Sequence, residues 1–259
     1  MAWKDAFDYV MEVSDAKLHP VVLTIAGFEG TIPPEISAIR EAVDDDLQSR
    51  CKFLTCEAIA STIFPQTLWD QNCPASDLFD RYVNRAYPRL IARAKKANRN
   101  WRFGTYFHRM IAPDGDPTHN QLAHVINRWN GSNTNNSMAL QISCREPAHD
   151  VNTNPYPSFP CLQQIGISWT GTGNNKQLWL NAFYPLQDMV ERAYGNYLGL
   201  CRLGVFLAHY MNGCRFAGLN CYVAKPTLGG PNKCDLRELQ KAVASAASPT
   251  LDSSVEVAI

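Results

Sequence analysis

Cysteine is the residue type with the most potential for chemistry in this chain, which contains nine of them. Their spacing shows no C-x-x-C pair and no zinc-ligand pattern, so it predicts neither a redox motif nor a metal site. Cys161, which follows Pro160 at the head of an apolar stretch, is the candidate nucleophile. Paired with His149 or His209 it would form a cysteine hydrolase, although no signature of such a family is present. Five others stand in apolar surroundings and are expected to be small core residues: Cys51, Cys56, Cys144, Cys201 and Cys221.

A hairpin and a long helix would position Cys161. Residues 165–169 alternate between apolar and other side chains, residues 171–175 form a turn, and residues 177–184 form a second strand. Apolar residues at helical spacing then predict a helix from about 186 to 211.

Three glycines, Gly195, Gly199 and Gly204, stand inside this helical pattern. Each costs roughly 1 kcal/mol relative to alanine in a helix interior. Their presence predicts a close approach of the helix backbone to another group, which is either a packed element or a ligand.

The remaining patterns predict helices around several mostly sequential strands, which indicates an α+β fold. We expect one domain over residues 1–259, with a divergent N-terminal part (1–50) and a polar C-terminal tail (247–259). Further helices are predicted at 4–14, 33–47, 56–63, 77–98, 121–129 and 235–246, and further strands at 19–25, 52–54, 138–143 and 216–225.

Charge and hydropathy exclude several classes of partner. The chain has 24 acidic and 24 basic residues, so no basic footprint for nucleic acid is present. No apolar run reaches the ~18 residues that a membrane helix needs. The N-terminal segment lacks the apolar core of a signal peptide, so we expect a cytoplasmic protein with reduced thiols.

Four motifs, in one order along the chain, resemble those of the thymidylate synthase superfamily, which includes the pyrimidine hydroxymethylases. The resemblance covers about residues 100–225 and, more faintly, 50–100. The motifs are Tyr106 within Gly104–Phe107, His119–Leu122 at the start of a helix, Phe159-Pro160-Cys161 followed by Gln163–Ile165, and Asp188 placed eight residues before Asn196.

The resemblance implies a mixed β-sheet surrounded by helices, a homodimer, and 5,10-methylenetetrahydrofolate as co-substrate. In that family a cysteine thiolate adds to C6 of a pyrimidine, and C5 then attacks the one-carbon unit. The product carries either a methyl or a hydroxymethyl group. The chemistry requires a thiolate, because a free cysteine with a pKa near ~8.5 is mostly protonated at neutral pH.

Roles for individual residues follow from the same resemblance. Cys161 would be the nucleophile, Glu57 the proton-transferring acid and Tyr106 a further catalytic residue. Substrate binding is expected at Asn196, Gln163, Asn135 and Asn136, and folate binding at Asp188, Gly195 and Trp101. No metal is expected.

Each of three roles has a structural alternative. Cys161 could be a buried strand cysteine, and Glu57 could interact with a helix dipole. Asn196 could hydrogen-bond to the helix backbone. If Asn196 instead recognises the base of the substrate, its amide would pair with the N3–H and O4 of a uracil-like ring. A carboxylate at this position would better suit the amino group of cytosine.

The chain departs from the family at the groups that bind the substrate phosphate. Residues 134–137 stand where the family has a Ser-Arg-Arg stretch, and Pro185 stands where it has another arginine. Residues 222–225 stand where the family has a His-x-Tyr motif that binds the sugar of the substrate. Arginine suits phosphate because its planar fork pairs with two oxygens at once. We therefore expect an atypical substrate. The missing arginines also lie near the nucleophile in that family, so their absence leaves the activation of Cys161 unexplained, and Arg109, Arg145 and Arg192 are candidates to compensate.

Two further alternatives remain open. The chain could be a non-catalytic binding or regulatory protein on a synthase-like fold, which the missing arginines favour and the retained Cys161, Asp188 and Asn196 oppose. The terminal residues 255–259 resemble the apolar ending that closes over folate in synthases, or they are a frayed terminus.

Overall fold

The computed structural model describes residues 1–28, 30, 33–50, 54–96, 104–131, 137–151 and 160–247. The helices are α1 (Ala2–Glu12), α2 (Ser37–Arg50), α3 (Cys56–Ile63), α4 (Ala75–Arg81), α5 (Tyr87–Lys96), α6 (Tyr106–Ile111), α7 (Gln121–Asn130), α8 (Pro147–Asp150), α9 (Ala193–Tyr210) and α10 (Arg237–Ala247). The strands are β1 (Val21–Ala26), β2 (Gln141–Ser143), β3 (Gln164–Thr170), β4 (Lys176–Tyr184), β5 (Gln187–Asp188), β6 (Cys214–Val223) and β7 (Pro226–Thr227).

Five strands form a mixed sheet in the order β1-β6-β4-β3-β2. The central pair β4–β6 is parallel, and the other three pairs are antiparallel. Strands β5 and β7 form a short parallel pair that follows β4 and β6 along the chain. Helices and a mixed sheet together confirm the predicted α+β class.

The hairpin that follows Cys161 is confirmed. Strand β3 pairs with β4 in a register that runs from Gln164 opposite Phe183 to Thr170 opposite Gln177. Gly171 begins the turn with φ of +81°, and a Cβ there would lie 2.5 Å from the carbonyl oxygen of Asn175. Only glycine adopts this backbone at low cost, so the turn fixes the register of the hairpin.

Helix α9 connects the parallel strands β4 and β6, as a parallel pair requires. Its predicted start near residue 186 is wrong, because the chain first forms β5 and then a turn. The carboxylate of Asp188 accepts hydrogen bonds from the backbone N–H groups of Val190 (2.9 Å) and Glu191 (2.8 Å). This local bonding competes with helix formation and delays the helix to Ala193.

The glycines of α9 mark close contacts with protein elements. A Cβ on Gly195 would lie 2.7 Å from the carbonyl oxygen of Cys56, and one on Gly199 would lie 2.7 Å from that of Ala60, both in α3. A Cβ on Gly204 would overlap the ring of Phe216 in β6 at 2.2 Å. Packing against α3 and β6 therefore accounts for all three glycines.

The two faces of the five-stranded sheet differ. Leu23, Ala182, Ile165 and Ile142 point into the core from four strands, and each is at most 5% exposed. The opposite face carries a hydrogen-bonded row of polar side chains across β1, β6, β4 and β3. Its members are Thr24, Asn220, Asn181 and Ser168.

Beside this polar row, the same face carries exposed apolar side chains. Phe183 and Tyr222 stack with ring centroids 5.8 Å apart and are 38% and 41% exposed. Val22, which pairs with Tyr222 across β1 and β6, is 70% exposed. Among the residues that the structure describes, no helix or strand covers these side chains.

The expected helix over residues 77–98 is present from Ala75 to Lys96, with a π-helical segment at Tyr82–Ala86. The segment ends just before Pro88, whose ring and missing N–H disturb the regular hydrogen-bond ladder. Among the described residues, no helix combines the length and apolar character needed to cross a bilayer.

Candidate active site around Cys161

Cys161 lies at the edge of the sheet where the parallel strands end. It precedes the first residue of β3, and the backbone N–H of Gln163 donates to the carbonyl of Phe183 at 3.0 Å near the end of β4. Because β3 runs antiparallel to β4, its start lies beside the carboxyl ends of β4 and β6. Ligand sites commonly form at this edge in proteins with parallel strands.

Tyr106 holds the segment that carries Cys161. The Tyr106 hydroxyl accepts hydrogen bonds from the backbone N–H groups of Cys161 (3.1 Å) and Leu162 (3.4 Å). Tyr106 opens α6, whose N-terminus is capped by Thr105 through a hydrogen bond from the N–H of His108 (3.1 Å). The cap fixes the helix end and thereby the position of the tyrosine.

Gln163 also contributes to the position of Cys161. Its side-chain amide donates to the carbonyl of Pro160 and closes the turn around the cysteine. Its expected role was substrate binding, and the structure gives this amide a contact within the protein.

The electrostatic surroundings of Cys161 contain opposing charges. Partial burial is the main influence and raises the pKa of the Cys161 thiol. The guanidinium of Arg192 lowers this pKa, and the carboxylate of Asp188 raises it further. The thiol is therefore mostly protonated at neutral pH, and any additional cation near it would increase its reactivity.

Tyr106 remains uncharged beside the cysteine. Burial is the main reason that its pKa is raised far above the usual value, and the nearby Cys161 raises it as well. Its hydroxyl oxygen accepts two backbone hydrogen bonds, and the neutral hydroxyl keeps its own proton as a donor.

Asp188 is a half-buried carboxylate at the same edge. One oxygen accepts the two backbone N–H groups in the turn before α9, while burial raises the pKa of the group. The other oxygen faces Gly229, where a Cβ would lie only 2.1 Å away. Trp3 supports the turn by donating to the carbonyl of Met189 at 2.8 Å.

Asn196 lies in the first turn of α9 and is 3% exposed. Its backbone N–H donates to the carbonyl of Arg192 at 2.9 Å. Within the part of the chain that the structure describes, no hydrogen bond engages its side-chain amide. The amide nitrogen and oxygen are not among the fully buried polar atoms that lack a partner, so they keep some contact with solvent, where a ligand with a donor and an acceptor could pair with them.

Glu57 has surroundings that differ from those expected of a proton-transferring acid. Its two carboxylate oxygens accept from both terminal nitrogens of Arg202 at 2.8 Å, and Arg40 donates to one of them at 3.0 Å. Chiefly through Arg202, these partners lower the pKa of Glu57, so it stays ionised at neutral pH. A carboxylate that resists protonation is a poor acid, and the ion pairs instead join α2, α3 and α9.

Gly195 was expected to contact folate, and the structure gives it a packing role against Cys56 and Ile59. Three other expected binding residues, Trp101, Asn135 and Asn136, lie outside the described residues, as do residues 248–259 of the tail.

The three candidate arginines have different environments. Arg109 is 3% exposed and forms two hydrogen bonds with Asp150 (2.8 and 3.0 Å) and one with the carbonyl of Cys144 (3.0 Å). Arg145 is exposed on the segment before α8 and does not influence the pKa of Cys161. Arg192 is the arginine whose charge reaches Cys161.

The histidines of the hydrolase alternative interact with other groups. His149 lies 3.2 Å from a carboxylate oxygen of Asp114, and a ring nitrogen of His209 lies 3.0 Å from the carbonyl of Gln71. No histidine influences the pKa of Cys161. The arrangement lacks the thiol–imidazole contact that a cysteine hydrolase uses.

Sequence reasoning missed Gly229, whose backbone packs closely against the carboxylate of Asp188. The pair Gly229-Gly230 after an apolar strand was the available signal, because consecutive glycines indicate a turn or a close approach.

A comparison with protein-family models finds no family that matches this chain, and a comparison with curated proteins finds no match either. The resemblance to thymidylate synthases therefore stays a prediction from the sequence motifs.

Proposed function

We propose that this protein is a folate-dependent one-carbon transferase of the thymidylate synthase type, acting at C5 of a pyrimidine-like ring. The observation that carries the proposal is the contact between two of the motifs: the hydroxyl of Tyr106 binds the backbone of Cys161, 55 residues further along the chain. Asp188, from a third motif, lies within electrostatic range of the same thiol.

In this proposal the Cys161 thiolate adds to C6 of the ring, and the displaced electron pair moves toward O4 and makes C5 nucleophilic. Tyr106 fixes the backbone of the nucleophile and offers a neutral O–H donor. The buried amide of Asn196 pairs with N3–H and O4 of a uracil-like ring, where negative charge develops.

The residues around Asp188 fit the pterin ring of a folate. A pterin presents an amino group and a ring N–H, which are donors that suit a carboxylate acceptor. Because the Gly229 backbone packs against one oxygen of Asp188, the pterin would approach the part of this half-buried carboxylate that the glycine leaves exposed. When bound, 5,10-methylenetetrahydrofolate would supply the one-carbon unit and, for a methyl product, the hydride.

A homodimer forms part of the proposal. The uncovered sheet face, with its polar row and with Phe183, Tyr222 and Val22, supports an interface between two copies because such a face is costly to leave in water. A cytoplasmic location is also proposed, and the eight described cysteines, all free thiols, agree with a reducing compartment.

The substrate is proposed to be atypical, because the chain lacks the phosphate-binding arginines of the family. A non-catalytic binding protein is the second candidate, and the raised pKa of the Cys161 thiol favours it. The two candidates differ in whether a product forms.

Product analysis tests the proposal. The protein would be incubated with methylenetetrahydrofolate and uracil compounds presented as base, nucleoside, 5′-phosphate and 3′-phosphate, and the products would be weighed. We expect a methyl or hydroxymethyl gain on one compound, with dihydrofolate released only for methyl, and at least ~100-fold less product from Cys161→Ser. Equal turnover by Cys161→Ser would contradict the role of the thiolate, and no product with any compound would favour the binding protein.

A further inference from the structure

We propose that this protein has a further binding site, a cavity beside the start of α1 that takes a small aromatic ligand bearing a cationic amine. The cavity has a volume of about 490 Å³ and lies between α1, β1, α2 and the first half of α9. Cavities of roughly 300–1,000 Å³ are typical of sites for small organic ligands. Among the described residues, none of those assigned above to the one-carbon reaction lines this cavity, so the inference does not rest on the proposed function.

The floor of the cavity is apolar. Helices α1, α2 and α9 supply its buried side chains, each at most 7% exposed, and β1 adds Ile25. These buried side chains are Trp3, Ile39, Tyr197, Leu198 and Cys201. Such a floor favours a ligand with an apolar ring, because the ring leaves water on binding.

Aromatic rings form part of the wall and are held in place by their own packing. Trp3 stacks on Phe7 with ring centroids 5.2 Å apart, and it meets Tyr194 edge to face at 5.4 Å. The indole N–H of Trp3 donates to the carbonyl of Met189 at 2.8 Å, which fixes the orientation of this ring. Tyr197 is a third ring at the same cavity. Tryptophan and tyrosine rings attract cations through their negative faces.

Glu35 brings a carboxylate to the same cavity as these rings. One of its oxygens accepts a hydrogen bond from the hydroxyl of Tyr194 at 3.0 Å, and both residues line the cavity. The side chain of Glu35 is 23% exposed, so it is neither fully solvated nor closed off. An ammonium group placed here would form a charge-assisted hydrogen bond with the carboxylate.

The charges behind Glu35 leave its carboxylate incompletely neutralised. Arg40 lies 3.6 Å from Glu35, but the same guanidinium lies 3.7 Å from Asp44 and 3.0 Å from Glu57. Arg202 adds a second guanidinium, which binds Glu57 at 2.8 Å. Two positive charges therefore serve three negative ones, and one negative charge remains in excess.

Lys4 also lines the cavity, but its charge is already paired. Its ammonium lies 2.7 Å from the carboxylate of Asp8, one turn further along α1. Because this pair is neutral as a whole, it does not offset the excess negative charge around Glu35. The balance of charges at the cavity favours a cationic ligand over an anionic one.

Three naphthalene probes that differ in one substituent test this inference. The probes are 1-naphthylmethylamine, 1-naphthalenemethanol and 1-naphthoic acid, which are respectively cationic, neutral and anionic at neutral pH. Their binding to the folded full-length protein would be followed by ligand-observed NMR titration. We expect the amine to bind about five- to thirtyfold more tightly than the alcohol, and the acid to bind more weakly than either.

Two variants locate the probe, and one serves as the control. Glu35→Gln retains an acceptor for Tyr194 but removes the charge, so it should weaken the amine about five- to thirtyfold and leave the alcohol within twofold. Ile36→Trp enlarges a side chain that lines the cavity and is already 37% exposed, so it should weaken all the probes without harming the fold. Glu41→Gln removes an exposed acid of α2 that does not line the cavity and should change nothing.

The proposal would be overturned if the amine did not bind, or if the acid bound as tightly as the amine. Binding of the amine that persists in both Glu35→Gln and Ile36→Trp would place the probe elsewhere and would also overturn it. Thermal unfolding of each variant shows whether the fold is retained. These measurements use neither folate nor a pyrimidine, so their outcome is distinguishable from failure of the proposed function.

Discussion

Tyr106 and His108 lie two residues apart at the start of α6, and burial keeps both side chains uncharged at neutral pH. Burial raises the pKa of Tyr106. Burial, assisted by the neighbouring Arg109, lowers the pKa of His108 to about 4. His108 stacks on Tyr87 with ring centroids 3.7 Å apart, so its neutral ring is part of the packing beneath the site.

The shift at His108 predicts acid sensitivity. An unfolded histidine titrates near ~6.5, so between this pH and about 4 the unfolded state binds more protons than the folded state. The free energy of unfolding should therefore fall as pH falls through this range, by about 1–2 kcal/mol after allowance for the partial exposure of the ring. Denaturant unfolding at a series of pH values measures it.

His108→Phe retains a stacking ring without a titratable nitrogen and serves as the matched variant. It should lose most of the dependence on pH between 6.5 and 4 that the wild type shows. Parallel pH profiles for the two proteins would show that His108 is not the responsible group.

Glu57 shows the limit of reasoning from residue type. An acid in an apolar helix requires a partner or a function, and this much was visible in the sequence. Its partners Arg40 and Arg202 lie 17 and 145 residues away, so no local pattern identifies them. Cys161 was more predictable, because its neighbour Pro160 and the following strand are local features.

At the scale of secondary structure, the contact between α3 and α9 supports the region from which Arg192 and Asn196 extend. Thr55 caps α3 by accepting the N–H of Ala58 at 3.1 Å, and the helix packs on the glycine face of α9. Gly199 lies in the middle of this contact, where an added Cβ would lie 2.7 Å from the carbonyl oxygen of Ala60 and 2.9 Å from the Cβ of Ile63. Backbone atoms cannot move aside as a flexible side chain could.

Gly199→Ala should therefore destabilise the protein, although alanine is the better helix former. The helix-propensity gain of ~1 kcal/mol is outweighed by overpacking, and a net loss of about 1–2 kcal/mol is expected from chemical denaturation. Gly166→Ala in β3 is the control, because a Cβ there meets only the carbonyl oxygen of Asn181 at 3.9 Å. Equal stability of Gly199→Ala and the wild type would mean that the two helices are not tightly packed.

The secondary structure was predictable where the signal was local. The bounds of α3 and the β3–β4 hairpin follow from caps, turn residues and alternation. The start of α9 was not predictable from periodicity, because the carboxylate of Asp188 draws the preceding residues into a turn. The α3–α9 contact was visible only as unexplained glycines, since the packed partner lies far away in the sequence.

At the scale of the whole molecule, the order of the strands brings the site together. The parallel pair β4–β6 and the antiparallel strand β3 place Cys161, Asp188 and the start of α9 at one edge of the sheet. Local patterns predicted an α+β class but not this strand order, which depends on pairings between distant segments. The polar row on the uncovered face likewise forms only when four strands are in register.

A covalent complex on Cys161 is the most direct test of the proposed chemistry. The protein would be incubated with methylenetetrahydrofolate and 5-fluoropyrimidines as base, nucleoside, 5′-phosphate and 3′-phosphate, and its intact mass would be measured. Fluorine at C5 blocks breakdown of the adduct, so a complex of protein, pyrimidine and folate should accumulate with one of these compounds. Peptide analysis should locate the adduct on Cys161, and Cys161→Ser should form none. Folded protein that forms no adduct with any of the four compounds would contradict a pyrimidine substrate and the nucleophilic role of Cys161.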